Sequence, residues 1–179
     1  MQVVLGTVTA VAACSLCTAH AVTVLPGLVM PVPGVAYALL CAFTYVAEVN
    51  AVNLTDGIDG LGASCSAVVL AACALLAAPC NEGVAVFCAA TAGACCGFLA
   101  WNRHPARVFM GDAGAQGLGA AVAVAACFTA HFVAVATLSA VFVTETLSVI
   151  LQVRRTVLLF PKLDQLFFGY FYPENMFLR

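Results

Sequence analysis

Charge is what this sequence has least of. Only 8% of its 179 residues are Asp, Glu, Lys or Arg; no lysine or arginine stands before residue 100, and nothing acidic stands before residue 48. The opening run MQVVLGTVTAV therefore lacks the basic region of a cleaved secretory signal, and a membrane span is the expected reading. Alternation of apolar and polar residues is missing as well, which excludes a transmembrane barrel, whose strands face lipid and lumen in turn. Cys14 and Cys17 form a CxxC without a second pair or a βαβ setting, so neither zinc nor thioredoxin-like chemistry is indicated. His104 has no second histidine at ligand spacing and reads as a loop or interfacial residue. No nucleic-acid partner is expected.

What remains is hydrophobic. The chain is 64% apolar with a mean hydropathy of +1.10, against roughly 45–50% apolar in soluble domains. Apolar blocks of about 17–23 residues recur, enough to cross a hydrocarbon core of roughly 30 Å. A span must satisfy its own backbone, so continuous blocks imply helices. The expected fold class is all-α: a polytopic transmembrane helical bundle with spans at about 3–25, 35–52, 63–79, 84–101, 113–129 and 132–151. The breaks carry turn chemistry, PGLVMPVPG, PCNEG and NRHPARVFMGD among them. Glycines at the start of the fifth block (AGAQGLGAAV) suit close helix packing or an irregular entry. The expected organisation is a transmembrane core over 1–151 and a tail over 152–179, where Phe, Tyr and Leu mix with scattered charge as in a cytoplasmic or interfacial segment. Most of the ten cysteines lie in apolar blocks, where cysteine packs as a small hydrophobe.

The few basic residues set the orientation. Arg103 and Arg107 lie in one connection, and Arg154, Arg155 and Lys162 follow the last block, so both clusters read as cytoplasmic. Counting spans back places the 53–62 loop on the same face.

Two motifs at that face concentrate the chemistry. In NAVNLTDGIDG (50–60), Asp56 and Asp59 would share a helical face at i, i+3, where they repel unless a cation or donors lie between them. Asn53 and Thr55 suit the N-cap of a helix entering the third span, and Gly57, Gly60 and Gly62 allow close approach. The plain alternative is two solvated aspartates near a helix N-terminus. The N-L-T sequon at Asn53 is set aside, because a cytoplasmic loop is not glycosylated. In WNRHPARVFMGDAGA (101–115), Asp112 either caps the fifth helix or joins Asp56 and Asp59 at a hard-cation site, since Mg²⁺ is held by one or two carboxylates with substrate phosphates. Arg103 and Arg107 could bind a phosphate or anchor the loop to anionic lipid. Phe109 is either an interfacial aromatic or a stacking platform. Glu48 and Glu145 fall in or near spans, which makes each a functional hypothesis by default; Glu48 is expected about a turn from the cytoplasmic end, within reach of water.

NAVNLTDGIDGLG, followed about forty residues later by GFLAWNRHPARVFMGDAGA and then by ETLSVILQV (145–153), resembles the phospho-N-acetylmuramoyl-pentapeptide transferases, of the polyprenyl-phosphate N-acetylhexosamine-1-phosphate transferase superfamily. NLTDG favours that branch over the GlcNAc-1-phosphate transferases, which stand as an alternative. The resemblance implies a Mg²⁺-dependent transfer of phospho-MurNAc-pentapeptide from UDP-MurNAc-pentapeptide to undecaprenyl phosphate. The products are UMP and lipid I, for peptidoglycan biosynthesis at the cytoplasmic face of a bacterial inner membrane. It implies that Asp112 binds magnesium, that Asp56 and Asp59 act in the nucleotide-sugar site, and that Asn53 and Asn102 line it. Phe109 would stack on uracil, with Gly57 and Ile58 in the same wall. Membrane lipid is an implied partner and a homodimer a possible assembly. The family's earlier aspartate pair and its later histidine-rich motif have no counterpart here, and Ala115 and Arg103-His104 depart from its pattern. The expectation is a central portion of the enzyme, truncated at both ends. A catalytically incomplete fragment or pseudoenzyme is the second reading, and a transporter using Glu48 and Glu145 the third.

Overall fold

The computed structural model describes residues 1–16, 20–25 and 28–159. They belong to two compact units, Met1–Glu145 and Thr146–Arg179. Most of the expected tail, residues 160–179, lies outside the described residues, as does Cys17.

The chain runs through helix α1 (Gln2–Leu16), a two-stranded hairpin β1 (Ala21–Leu25) and β2 (Leu28–Pro31), then α2 (Gly34–Thr55), α3 (Leu61–Ala77), α4 (Glu82–Asn102), α5 (Gly111–Thr129), α6 (Phe132–Leu138) and α7 (Ala140–Leu159). This is the all-α membrane architecture the composition implies, with one addition. The expected first span, 3–25, is instead a short helix followed by the hairpin, whose antiparallel register pairs Val22 with Met30 and Thr23 with Val29. The β-branched run Val22, Thr23, Val24 ahead of Pro26-Gly27 carries strand and turn preference that hydropathy alone does not register. The expected sixth span is likewise broken, at Ser139.

Among the described residues, α2 and α4 are long and apolar enough to cross a membrane, and a third crossing results if α6 and α7 form one broken span. That revises the expected six. Helices α1 and α3 are apolar but shorter.

Local chemistry sets the ends. Pro33 immediately precedes α2, where a residue lacking an N–H leaves no donor unmet. Asn81 caps α4 by accepting from the Val84 N–H at 3.2 Å, with Glu82 in the first turn, where a negative charge suits the helix dipole. Helix α2 packs against α1 and α5, and α3 against α4. The α2–α5 contact is made backbone to backbone: a Cβ on Gly119 would stand 2.6 Å from both the Glu48 carbonyl oxygen and the Val49 Cα. The glycine-rich start of α5 thus serves close packing. Tyr37, fully buried, donates to the Cys127 carbonyl at 2.6 Å and meets Phe132 edge-on at 5.6 Å. Cys41, Cys73, Cys88, Cys95 and Cys127 are buried free thiols within this core.

Because Gly119 lies in the first half of α5 and Val49 in the last two turns of α2, the end of α2 and the start of α5 come to the same end of the bundle. The α2–α3 and α4–α5 loops therefore face one another there. At the other end, the Thr23 N–H donates to the Ala130 carbonyl at 2.9 Å, tying the hairpin to the α5–α6 turn.

Candidate active site

The two loops enclose a cavity of about 170 Å³. The eight positions to which the resemblance gives a role all line it: Asn53, Asp56, Gly57, Ile58 and Asp59 from one side, and Asn102, Phe109 and Asp112 from the other; Arg103 and Arg107 do not. Met110 and Gly111 complete the wall; neither was assigned to the site from the sequence, although the positive φ of Gly111 (69°), the first residue of α5, is one that glycine adopts without steric cost.

The local structure of the first loop differs from expectation. Asn53 and Thr55 do not cap α3. They occupy the last turn of α2, which runs on through NAVNLT, and the Thr55 hydroxyl donates back to the Ala51 carbonyl at 2.8 Å. The residue preceding α3 is Gly60, left-handed at φ 76° and without a side-chain cap. Asp56 and Asp59 accordingly share no helical face. Asp56 is the C-cap of α2, an end whose dipole opposes negative charge. Its carboxylate lies against Gly62 in the first turn of α3, so close that a Cβ there would collide with Oδ1. Burial pushes the Asp56 carboxyl above its ordinary value.

Asp59 has a different environment. Its Oδ2 accepts from the Ala106 N–H at 3.0 Å and lies 3.0 Å from His104 Nδ1, which must carry its proton to bond a carboxylate. These two donors, the backbone one first, hold the Asp59 carboxyl below its ordinary value. His104 is thus a loop residue, as expected, but one that reaches across to the other loop. Forty-five positions separate the pair, and no spacing rule could have found it.

Asn102 joins the loops a second time. It is buried at 3% exposure; its Oδ1 accepts from the Gly60 N–H at 3.1 Å and its Nδ2 donates to the Val108 carbonyl at 2.9 Å. Asn53 contrasts with it, since its Oδ1 is buried and has no hydrogen-bond partner. Phe109 and Ile58 are 74% and 68% exposed, two apolar side chains presented at a polar cavity rather than to a core. Asp112 stands exposed in the first turn of α5 without making a side-chain cap.

Glu48 departs from expectation. It lies two turns from the end of α2 and is buried at 8% exposure, with Oε2 unpartnered, because the backbone contact at Gly119 closes α5 over that stretch. Glu145 is half-buried on α7. Neither lines the cavity. Among the described residues no group of three or more His, Cys, Asp or Glu is arranged to hold a metal by protein side chains alone.

The arrangement offers carboxylate and amide oxygens to a cation, and an exposed aromatic to a planar ring. Residues 1–130 match the model of glycosyl transferase family 4. A phospho-N-acetylmuramoyl-pentapeptide-transferase of Nostoc punctiforme is 56% identical over 114 residues, covering 64% of this chain and 31% of that protein. Those of Trichormus variabilis and Geobacillus thermodenitrificans are 50% and 51% identical, over 68% and 67% of this chain and 35% and 37% of theirs. The chain spans about a third of the length of these relatives. With the family model covering well over half of its residues, this chain belongs to glycosyl transferase family 4, and its relatives there are phospho-N-acetylmuramoyl-pentapeptide transferases.

Proposed function

We propose that this chain forms the nucleotide-sugar side of a phospho-MurNAc-pentapeptide transferase centre. In this reading UDP-MurNAc-pentapeptide binds at the cytoplasmic face of a bacterial inner membrane, and its phospho-sugar passes to undecaprenyl phosphate, giving lipid I and UMP. The observation that carries it is the convergence of Asn53, Asp56, Asp59, Asn102, Phe109 and Asp112 on one cavity from two separate loops. The membrane core over 1–151 is, in this reading, the transferase part of the chain.

The oxygen donors fit a hard divalent cation. The unpartnered Asn53 Oδ1 and the exposed Asp112 carboxylate border the same cavity, and Mg²⁺ takes few protein ligands, leaving room for water and phosphate. Asp112 and Asn53 would hold it, with Asp56 beside them. When bound, the ion would neutralise phosphate charge and polarise the bond that breaks. Phe109 and Ile58 present an apolar wall on which a uracil ring can stack. Asp59 and Asn102 fix the distance between the loops, so that the groups holding the base and those facing the phosphates are aligned before substrate arrives. The position of the cavity, where helices end, suits one water-soluble substrate and one that lies in the bilayer.

A second reading, nucleotide-sugar binding without transfer, is favoured by one observation: Asp59 Oδ2 is already engaged by Ala106 and His104. One experiment separates the two. UMP release is measured from UDP-MurNAc-pentapeptide in detergent with undecaprenyl phosphate and Mg²⁺, alongside nucleotide binding by calorimetry, for the wild type and Asp112→Asn. Release lost in the variant supports transfer, and binding without release supports the second reading. Absence of both sinks the assignment for this chain.

A further inference from the structure

Between the end of α4 and the α4–α5 loop lies a second recess, of about 350 Å³, lined by basic rather than acidic side chains. Trp101, Arg103, His104 and Arg107 line it. The Arg107 N–H donates to the Trp101 carbonyl at 2.8 Å, folding the loop back on the end of α4, and the Arg107 guanidinium lies 6.0 Å from the Trp101 ring centroid. Among the described residues the one ion pair is His104 with Asp59. Arg103 and Arg107, two of the chain's six basic residues, therefore stand exposed without a carboxylate partner. We propose that this recess binds the phosphate of an anionic phospholipid headgroup and so anchors the loop that carries Phe109 and Asp112.

Position commits the occupant to a lipid. Among the described residues helix α4 is one of two long and apolar enough to span a membrane, and Trp101, 56% exposed, is its penultimate residue. Tryptophan at such a place sits at headgroup level, and arginines two and six residues further on meet the phosphate layer. A guanidinium fork pairs with phosphate oxygens in two parallel hydrogen bonds, unlike a lysine ammonium. The recess is within the usual size range of small-ligand sites. The inference stands independently of the transferase reading.

Trp101 is the chain's single tryptophan, so its fluorescence reports on this recess alone. The full chain is reconstituted in vesicles of phosphatidylcholine with phosphatidylglycerol, with bromine quenchers on the acyl chains of one lipid or the other. Preferential quenching by brominated phosphatidylglycerol is expected, at about fivefold or more over phosphatidylcholine, the factor one arginine near an anionic surface supplies. It should fall towards parity in Arg103→Gln/Arg107→Gln and persist in Arg154→Gln. Equal quenching by the two lipids in the wild type overturns the proposal without recourse to any variant. An equal loss in Arg154→Gln also overturns it, by showing attraction spread over the whole surface. Saturable binding of inorganic phosphate in phosphatidylcholine vesicles, displacing the lipid preference, would identify a soluble-anion site and overturn the lipid assignment.

Discussion

Replacing Asn102 with alanine tests the central structural claim, that the cavity exists because two loops are braced together. The side chain is 3% exposed and makes one hydrogen bond to each loop, from the Gly60 N–H at 3.1 Å and to the Val108 carbonyl at 2.9 Å. Each such bond contributes about 0.5–1.5 kcal/mol net, so Asn102→Ala should cost about 2 kcal/mol. The cost stays near that figure because Val108 is exposed and Gly60 half-buried, so water can reach the abandoned groups. Asn102→Asp keeps the acceptor for Gly60 but turns an oxygen towards the Val108 carbonyl, which detaches the second loop selectively. Hydrogen exchange followed by mass spectrometry resolves the loops separately. Asn102→Ala should accelerate exchange in both 56–60 and 103–110, whereas Asn102→Asp should do so chiefly in 103–110. If exchange in both loops is unchanged in Asn102→Ala while nucleotide binding is lost, Asn102 acts by touching ligand and the brace argument is wrong.

Three other consequences can be measured. Gly62→Ala puts a methyl group where the Asp56 carboxylate lies; nucleotide binding in the presence of Mg²⁺ should weaken at least tenfold with little change in helix content, and unaltered binding would separate Asp56 from the site. Gly119→Val forces a side chain between two helix backbones, Glu48 and Val49 on the far side; overpacking of this kind costs about 1–3 kcal/mol, read as a lower midpoint of thermal unfolding in detergent. The two loop aspartates should respond to pH in opposite senses. Asp56 has a folded pKa raised by burial, so its ionised form disfavours folding at neutral pH, and stability is gained as pH falls through that raised value. Asp56→Asn, neutral at every pH, should remove that gain, read as the pH dependence of the midpoint of thermal unfolding in detergent. Asp59 has a lowered pKa; its hold on Ala106 is fully present above the ordinary value and is lost only as pH falls through the lowered one.

The sequence pointed to the residues that line this cavity more completely than to the fold that brings them together. Asp56, Asp59 and Asp112 stood out because a chain so poor in charge has little reason to place carboxylates at the edge of apolar blocks, and the resemblance added Asn102 and Ile58 and gave Asn53, Gly57 and Phe109 a place beside them. The helix ends were less legible. NAVNLT reads equally as the end of one helix or the cap of the next, and which holds is decided by Gly60, whose left-handed backbone ends the loop at α3. Hydropathy carried the first span through residues 21–25 because Val, Thr and Leu are as apolar in a strand as in a helix. The break at Ser139 has no glycine or proline beside it to mark it in the sequence.

The contact between His104 and Asp59 shows why the remainder lay beyond reach of local reasoning. Each loop alone is a short polar link between helices, and nothing in either specifies a partner. Their meeting is fixed two turns down the bundle, where the absence of a side chain on Gly119 lets α5 rest on the backbone of α2. That single approach sets where α5 begins relative to where α2 ends, and Asn102 and Asp59 then join the loops it has brought together. The cavity is thus a product of helix packing, with the polar contacts as a second lock upon it. It follows that Gly119→Val and Asn102→Ala act on one structure, and their effects on nucleotide binding should combine to less than the sum of the two measured singly. Strict additivity would mean that the loops find each other without the helices, and that the site owes nothing to the α2–α5 contact.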